Sequence, residues 1–276
     1  MPDPRLRRPR RRTVAIGLLA LAGLLLGAGA TLLAPQPLLP EATAALEPGD
    51  GIRVVEVGGR GGRLEFAPEG AAPTTGLIVY PGGKVPPAAY APLARQVAAG
   101  GYLVAVVPMP LNLAVLGVDA ALPVIAAHPE VRSWAIGGHS LGGAMAAQFV
   151  ADHPGAIAGL ALWASYSPAD LAASNIAAVS VWGSLDAGAE RMGGPEARAA
   201  LPPDAVFLEL AGGNHEQMGW YTGQPNDPPA TLGRTEQTDL VAAATLQLLA
   251  RLAGMGTGEA GASPPALPGH RLRYRA

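Results

Sequence analysis

The chain has 276 residues, 49% of them apolar, a net charge of −2 and no cysteine. Its length supports one sizeable core with little room for a second full domain. The missing cysteines exclude disulfides, thiolate catalysis and cysteine-ligated zinc, and a mildly acidic body does not suit a nucleic-acid partner, which needs a basic face.

The charge is unevenly spread. Six arginines against Asp3 make residues 1–12 net +5, so the remainder carries −7. The arginines precede Thr13–Ala34, 22 residues without a charge. As a helix rising about 1.5 Å per residue, this run would span roughly 30 Å, the thickness of a bilayer's hydrocarbon core. Arginines stay cytoplasmic, so the body is expected on the far side. The run's length fits an uncut signal anchor, whereas Ala28-Gly29-Ala30 fits a signal-peptide cleavage site that would release the body. Pro35–Pro48 reads as a proline-rich linker. The division expected is therefore a targeting segment (1–34), a linker (35–50), a folded domain (51–256) and a low-complexity, disordered tail (257–276).

Within the body, Ile52–Val57 and Arg63–Phe66 read as two strands of a hairpin around GGRGG. Gly76–Tyr80 is a buried strand followed by Pro81-Gly82-Gly83. Ala88–Ala99 is helical and stops at Gly100-Gly101, and Tyr102–Val107 is the next strand. Leu116–Ala127 reads as a helix weakened at Pro123. Ser133–Ile136 follows as a strand, Leu141–Asp152 as a helix and Ile157–Trp163 as a strand. Ala178–Trp182 is a strand, Glu190–Ala200 a helix, Val206–Leu210 the last strand and Thr235–Ala253 a closing helix. Unbroken Val/Ile/Leu runs mark strands covered on both faces, and strand–helix alternation builds parallel sheets by right-handed crossovers. The fold class expected is α/β: a mostly parallel sheet of about eight strands, helices on both faces, and an antiparallel pair at the start.

Gly138-His139-Ser140-Leu141-Gly142 matches G-x-S-x-G between a strand and a helix. In that setting the serine sits on a sharp turn in an unfavourable backbone conformation, and its neighbours two before and two after must be small. The turn exposes the hydroxyl at a helix N-terminus, where free N–H groups face developing negative charge. A serine hydroxyl needs a base and an orienting acid. Of the histidines after Ser140, His153 is carried away at the end of the following helix and His270 lies in the tail. His215, just after the last strand, remains. Asp186, after the strand Ala178–Trp182, is placed to orient it, with Glu190 and Asp170 in reserve. His139 is adjacent to the serine and reads as packing or hydrogen bonding near the turn. Leu141 N–H is one candidate oxyanion donor and Gly83 the other; Lys84, the chain's only lysine, is a candidate substrate contact. No histidine or carboxylate spacing suggests a metal.

With these residues in hand, the chain resembles the alpha/beta-hydrolase superfamily, most of all its small fold-5 branch, related in build to dienelactone hydrolases. The resemblance covers Gly51 to Ala253 and rests on YPGGKV, GGHSLGGAMAA, LWASY, VWGSLDAG and GGNHEQMGWY. Gly219–Asp227 (GWYTGQPND) also looks like this branch, and the resemblance implies that its Gln224 and Asp227 shape the site, Gln224 as a candidate substrate contact. The resemblance implies Ser140 as nucleophile, Asp186 as acid and His215 as base, with no cofactor. Only about 14 residues separate Trp163 from Ala178, too few for the helical lid that larger relatives insert there. An open site suggests a small ester-like substrate, with thioester, lactone and amide behind it. A non-catalytic binding protein on the same fold is the alternative.

Overall fold

The computed structural model describes residues 34–257, except Arg60 and Ala71, and residues 272–274. Two compact units are separated at Ala34/Pro35, and the second holds the sheet. Among the described residues no helix is long and apolar enough to cross a membrane. Apart from Ala34, the Thr13–Ala34 run lies outside them.

The sheet has nine strands: β1 (Ile52–Val57), β2 (Arg63–Pro68), β3 (Thr75–Tyr80), β4 (Leu103–Val106), β5 (Ser133–His139), β6 (Gly159–Trp163), β7 (Ala177–Gly183), β8 (Val206–Leu210) and β9 (Leu272–Tyr274). Their order is β1-β2-β4-β3-β5-β6-β7-β8-β9. The β1–β2 hairpin joins β4 antiparallel, β4 through β8 run parallel, and β9 adds antiparallel to β8. Strands β3 and β7 are buried at every position, as their uninterrupted apolar runs require. By contrast, the edge strand β1 buries only Ile52. Strand β5 runs three residues further than expected, because pairing with β3 and β6 continues through Gly138 and His139.

Helix α1 (Pro40–Ala44) precedes the sheet, and α2 (Ala91–Ala99) follows β3. Ala91, Ala94, Val97 and Ala98 form the buried stripe of α2, and Gly101, at φ 97°, lets the chain turn out of the helix. Helix α3 (Leu122–Ala127) precedes β5, α4 (Leu141–Asp152) follows it, and α5 (Ala189–Gly193) and α6 (Pro195–Ala199) lie between β7 and β8. Helix α7 (Arg234–Thr257) packs on α2 and across the middle strands. Because β3 to β4 steps one way along the sheet and the later crossovers step the other, right-handed connections put α2 and α4 on opposite faces.

Four expectations need correction. The Pro35–Pro48 segment is not a free linker. Gln36 N–H donates to Lys84 O at 2.8 Å, Leu39 N–H to Trp220 O at 3.0 Å, and Thr222 N–H to Pro37 O at 2.9 Å, while α1 buries Ala42 completely. The tail expected to be disordered contributes β9. The helix expected over Leu116–Ala127 is helical only from Leu122, since Pro123 is tolerated in a first turn but not inside a helix; 3-10 turns occupy Pro110–Asn112, Ala114–Leu116 and Val118–Ala121 before it. The helix expected over Glu190–Ala200 is broken at Gly194, which is extended (φ −74°, ψ 167°) as a residue before proline prefers.

Candidate active site

Ser140 is the single residue between β5 and α4, at φ 52° and ψ −122°. A non-glycine residue in this region is strained and stays there only when its surroundings over-determine it. Here they do: Ser140 N–H donates to Trp163 O at 3.0 Å, and its carbonyl accepts from Ala144 N–H at 3.1 Å and Ser165 Oγ at 2.7 Å. The flanking glycines are required by space. A Cβ at Gly138 would lie 2.6 Å from Tyr80 O, and one at Gly142 would lie 2.1 Å from the same oxygen.

Asp186 stands three residues beyond β7, its side chain 3% exposed. Oδ1 accepts Gly188 N–H at 2.7 Å, and Oδ2 lies 2.7 Å from His215 Nδ1. A carboxylate accepts only, so His215 carries a proton on Nδ1 and leaves Nε2 free to take another. His215 starts the turn Glu216–Met218, and the carboxylate of Asp227 holds that turn: Oδ1 accepts His215 N–H at 3.1 Å and Oδ2 accepts Glu216 N–H at 2.8 Å. Burial pushes the Asp227 carboxyl above its usual range, although these two N–H groups work the other way. This clamp was not readable in the sequence, because Asp227 reaches back across a loop with no local pattern; the GWYTGQPND segment was the only signal.

Ser140 and His215 line one cleft of about 470 Å³, together with Tyr166, Arg191, Met192 and Gln224. Among the described residues no hydrogen bond joins Ser140 Oγ to His215, whose ring is bonded to Asp186. Gln224 is held at the rim, its N–H donating to Glu216 Oε2 at 2.9 Å and its Oε1 accepting from Tyr221 at 3.1 Å. Lys84 does not line the cleft: its N–H donates to Asn112 O at 2.7 Å and its carbonyl accepts from Gln36, which faces its main chain elsewhere. Glu190 and Asp170 do not line it either. Among the described residues, no three His, Asp or Glu side chains are grouped to hold a metal ion.

The glycine loop after β3 packs beside Leu141, and none of its residues lines the cleft. Gly82 N–H donates to Tyr90 Oη at 2.9 Å and Lys84 N–H is taken by Asn112, so Gly83 keeps the uncommitted N–H of the three. A Cβ on Gly83 would sit 3.6 Å from Leu141 Cδ2, so of the two sequence-predicted oxyanion donors Leu141 lines the cleft and Gly83 lies behind its side chain. Leu141 N–H, first in α4, has no intrahelical acceptor.

His139 is fully buried beneath this site, its ring centroid 4.5 Å from that of His215. Tyr90 receives Gly82 N–H and so directs its own proton to His139 Nδ1 at 2.9 Å, leaving the His139 proton on Nε2. That Nε2 makes no hydrogen bond of standard geometry, though the His215 main chain lies close enough to favour a proton weakly. Burial first, and the charge of His215 second, hold His139 well below the ordinary histidine value of 6.5. The unfolded chain therefore binds this proton first, and stability is full above about pH 6.5 and falls as pH drops below it. Against His139→Gln, which stays neutral, the wild type is expected to lose up to about 1.4 kcal/mol of relative stability per pH unit below that point. Urea unfolding of both proteins at pH 7 and pH 5 checks this; parallel losses would refute it.

A family model described as the alpha/beta hydrolase family matches residues 76–239. The chain belongs to the alpha/beta hydrolase family. The match begins at Gly76 in β3, ends within α7, and takes in Ser140, Asp186 and His215; the β1–β2 hairpin and β9 lie outside it. Comparison of this hydrolase with curated proteins finds no match.

Proposed function

We propose that this alpha/beta hydrolase is a serine hydrolase acting on small carboxylic esters through Ser140, His215 and Asp186. The observation that carries the reading is the 2.7 Å Asp186–His215 hydrogen bond, whose imidazole shares a cleft with a strained, helix-capping serine. In this scheme His215 Nε2 takes the Ser140 proton as Oγ attacks the carbonyl carbon. The tetrahedral oxyanion is met by the N–H groups of Leu141 and Gly83. Protonated His215 then gives its proton to the leaving alcohol, and the acyl group remains on Ser140. Water, deprotonated by His215, attacks the acyl-enzyme; the acid leaves and Ser140 regains its proton.

Support for a small substrate comes from the β6–β7 connection, residues 164–176, which carries no helix and leaves the cleft without a lid. Thioesters and amides would meet the same machinery; an amide is disfavoured because its amine leaves less readily than an alkoxide, and the substrate panel separates ester from thioester. The arginine block and the uncharged run after it support export, with the domain held outside the cytoplasm by Thr13–Ala34.

The test is labelling with a fluorophosphonate, which phosphonylates an activated serine. The wild type is expected to label and Ser140→Ala to remain blank. An unlabelled wild type, or equal labelling of the variant, would sink the reading. A panel of short esters, thioesters and amides on the full chain then ranks the bonds.

A further inference from the structure

Every large hydrophobic side chain that the described residues leave exposed falls between 111 and 122: Leu111 (59%), Val115 (54%), Leu116 (54%) and Leu122 (41%). Single exposed apolar residues are ordinary, but their confinement to one short segment is not. Residues 108–118, which hold three of the four, contain no charge. The segment's backbone is held in an unfavourable shape to present them, with Leu111 and Asn112 at φ 53° and 55°. None of these side chains lines the catalytic cleft, so substrate binding does not account for them.

Where the chain enters the fold indicates what covers the patch. The uncharged run Thr13–Ala34 ends two residues before Gln36. Gln36 N–H is bonded to the carbonyl of Lys84, and the N–H of the same Lys84 is bonded to the carbonyl of Asn112. One residue therefore joins the entry point of the chain to the middle of the apolar segment. If the run crosses a bilayer with its arginines on the inner side, Gln36 leaves the outer surface beside Leu111, Val115 and Leu116.

We infer that residues 111–116 form a membrane-seated face, whose leucine and valine side chains rest in the headgroup and upper acyl region of the bilayer that holds the anchor. This rests on the proposed anchor. Lys84 stands at the same junction, where a long apolar stem and a cationic tip suit contact with lipid phosphates.

The cysteine-free chain makes the test direct. Full-length protein carrying Val115→Cys, labelled with an environment-sensitive fluorophore, is reconstituted into phosphatidylcholine–phosphatidylglycerol vesicles. The exposed position Glu196→Cys on α6 serves as control. The label at 115 is expected to shift to the blue and to lose emission when lipids spin-labelled high in the acyl chain are included, while the label at 196 does neither. If the protein floats with vesicles yet the label at 115 behaves like the control, the anchor stands and the seated face is wrong. A blue-shifted label that spin-labelled lipid fails to quench means protein covers the patch, either residues 13–34 or a second copy, and also overturns the inference. A chain that does not float with vesicles removes the anchor and the inference together. Fluorophosphonate labelling of Ser140 in the same samples reports the hydrolase reading separately.

Discussion

Asp186→Asn is expected to lower kcat by about 10⁴-fold with KM nearly unchanged. The size follows from which atom the asparagine would aim at the imidazole. In the native site Oδ1 accepts Gly188 N–H at 2.7 Å and Oδ2 accepts the His215 Nδ1 proton at 2.7 Å. An amide offers only one oxygen. Gly188 N–H is a fixed donor that must keep an acceptor in a side chain 3% exposed, so the oxygen stays there and the NH₂ faces His215. His215 then turns acceptor at Nδ1 and carries its proton on Nε2, where it can no longer take one from Ser140. Asparagine matches aspartate in size, so the cleft wall keeps its shape and the loss falls on kcat. Steady-state kinetics on the best ester of the panel checks this. A loss of less than about tenfold would mean that Asp186 only braces its loop, a bracing hydrogen bond being worth about 1.5 kcal/mol or less.

The second large effect is on folding. Gly142→Val would put a Cβ 2.1 Å from Tyr80 O and 2.4 Å from Pro81 O. Both are main-chain atoms at the end of a strand buried at every position, so no side chain can swing aside to make room. Relief requires α4 to lift from the sheet, and with it the Ser140 turn. A cost of about 4 kcal/mol or more is expected, in the range reserved for such core clashes, with loss of cooperative unfolding or of soluble protein. Gly83→Ala is the matched comparison. Its Cβ meets only Leu141 side-chain atoms, at 3.6 Å and beyond, so it should unfold within about 0.5 kcal/mol of wild type. If Gly142→Val melts like Gly83→Ala, the close approach of α4 to β3 is not what holds the turn in shape.

These two predictions differ in how far they could be read without coordinates. That Gly142 must be small follows from G-x-S-x-G between a strand and a helix, and the atoms it would strike only supply the magnitude. The places of Ser140, Asp186 and His215 were readable for a related reason: each stands past the end of a largely apolar run, and such runs are legible because burial on both faces is written in consecutive residues. Their meeting at one cleft could be anticipated from strand order. The Gly82–Tyr90–His139 chain could not, because it links residues 8 and 49 apart in sequence, and Tyr90 looks like any other aromatic in a helix approach. Nor could the Asp227 clamp, which depends on a loop folding back on the His215 turn.

The largest misreadings lie at the ends of the domain. Pro35–Pro48 has the composition of a linker and gains its order from the carbonyls of Lys84 and Trp220 and the N–H of Thr222. Residues 272–274 read as part of a polar tail, yet they pair with β8, because a sheet edge will take any short extended segment brought to it. The layered α/β plan, the strained serine turn and the chain order of the three proposed site residues follow from local periodicity and from steric rules acting over a few positions. Which backbone groups around the serine turn stay free, how the His215 turn is braced, and how Gln36 and Asn112 come to share Lys84 emerge only in the folded chain. Those depend on hydrogen bonds between residues distant along the chain, and no local pattern encodes them.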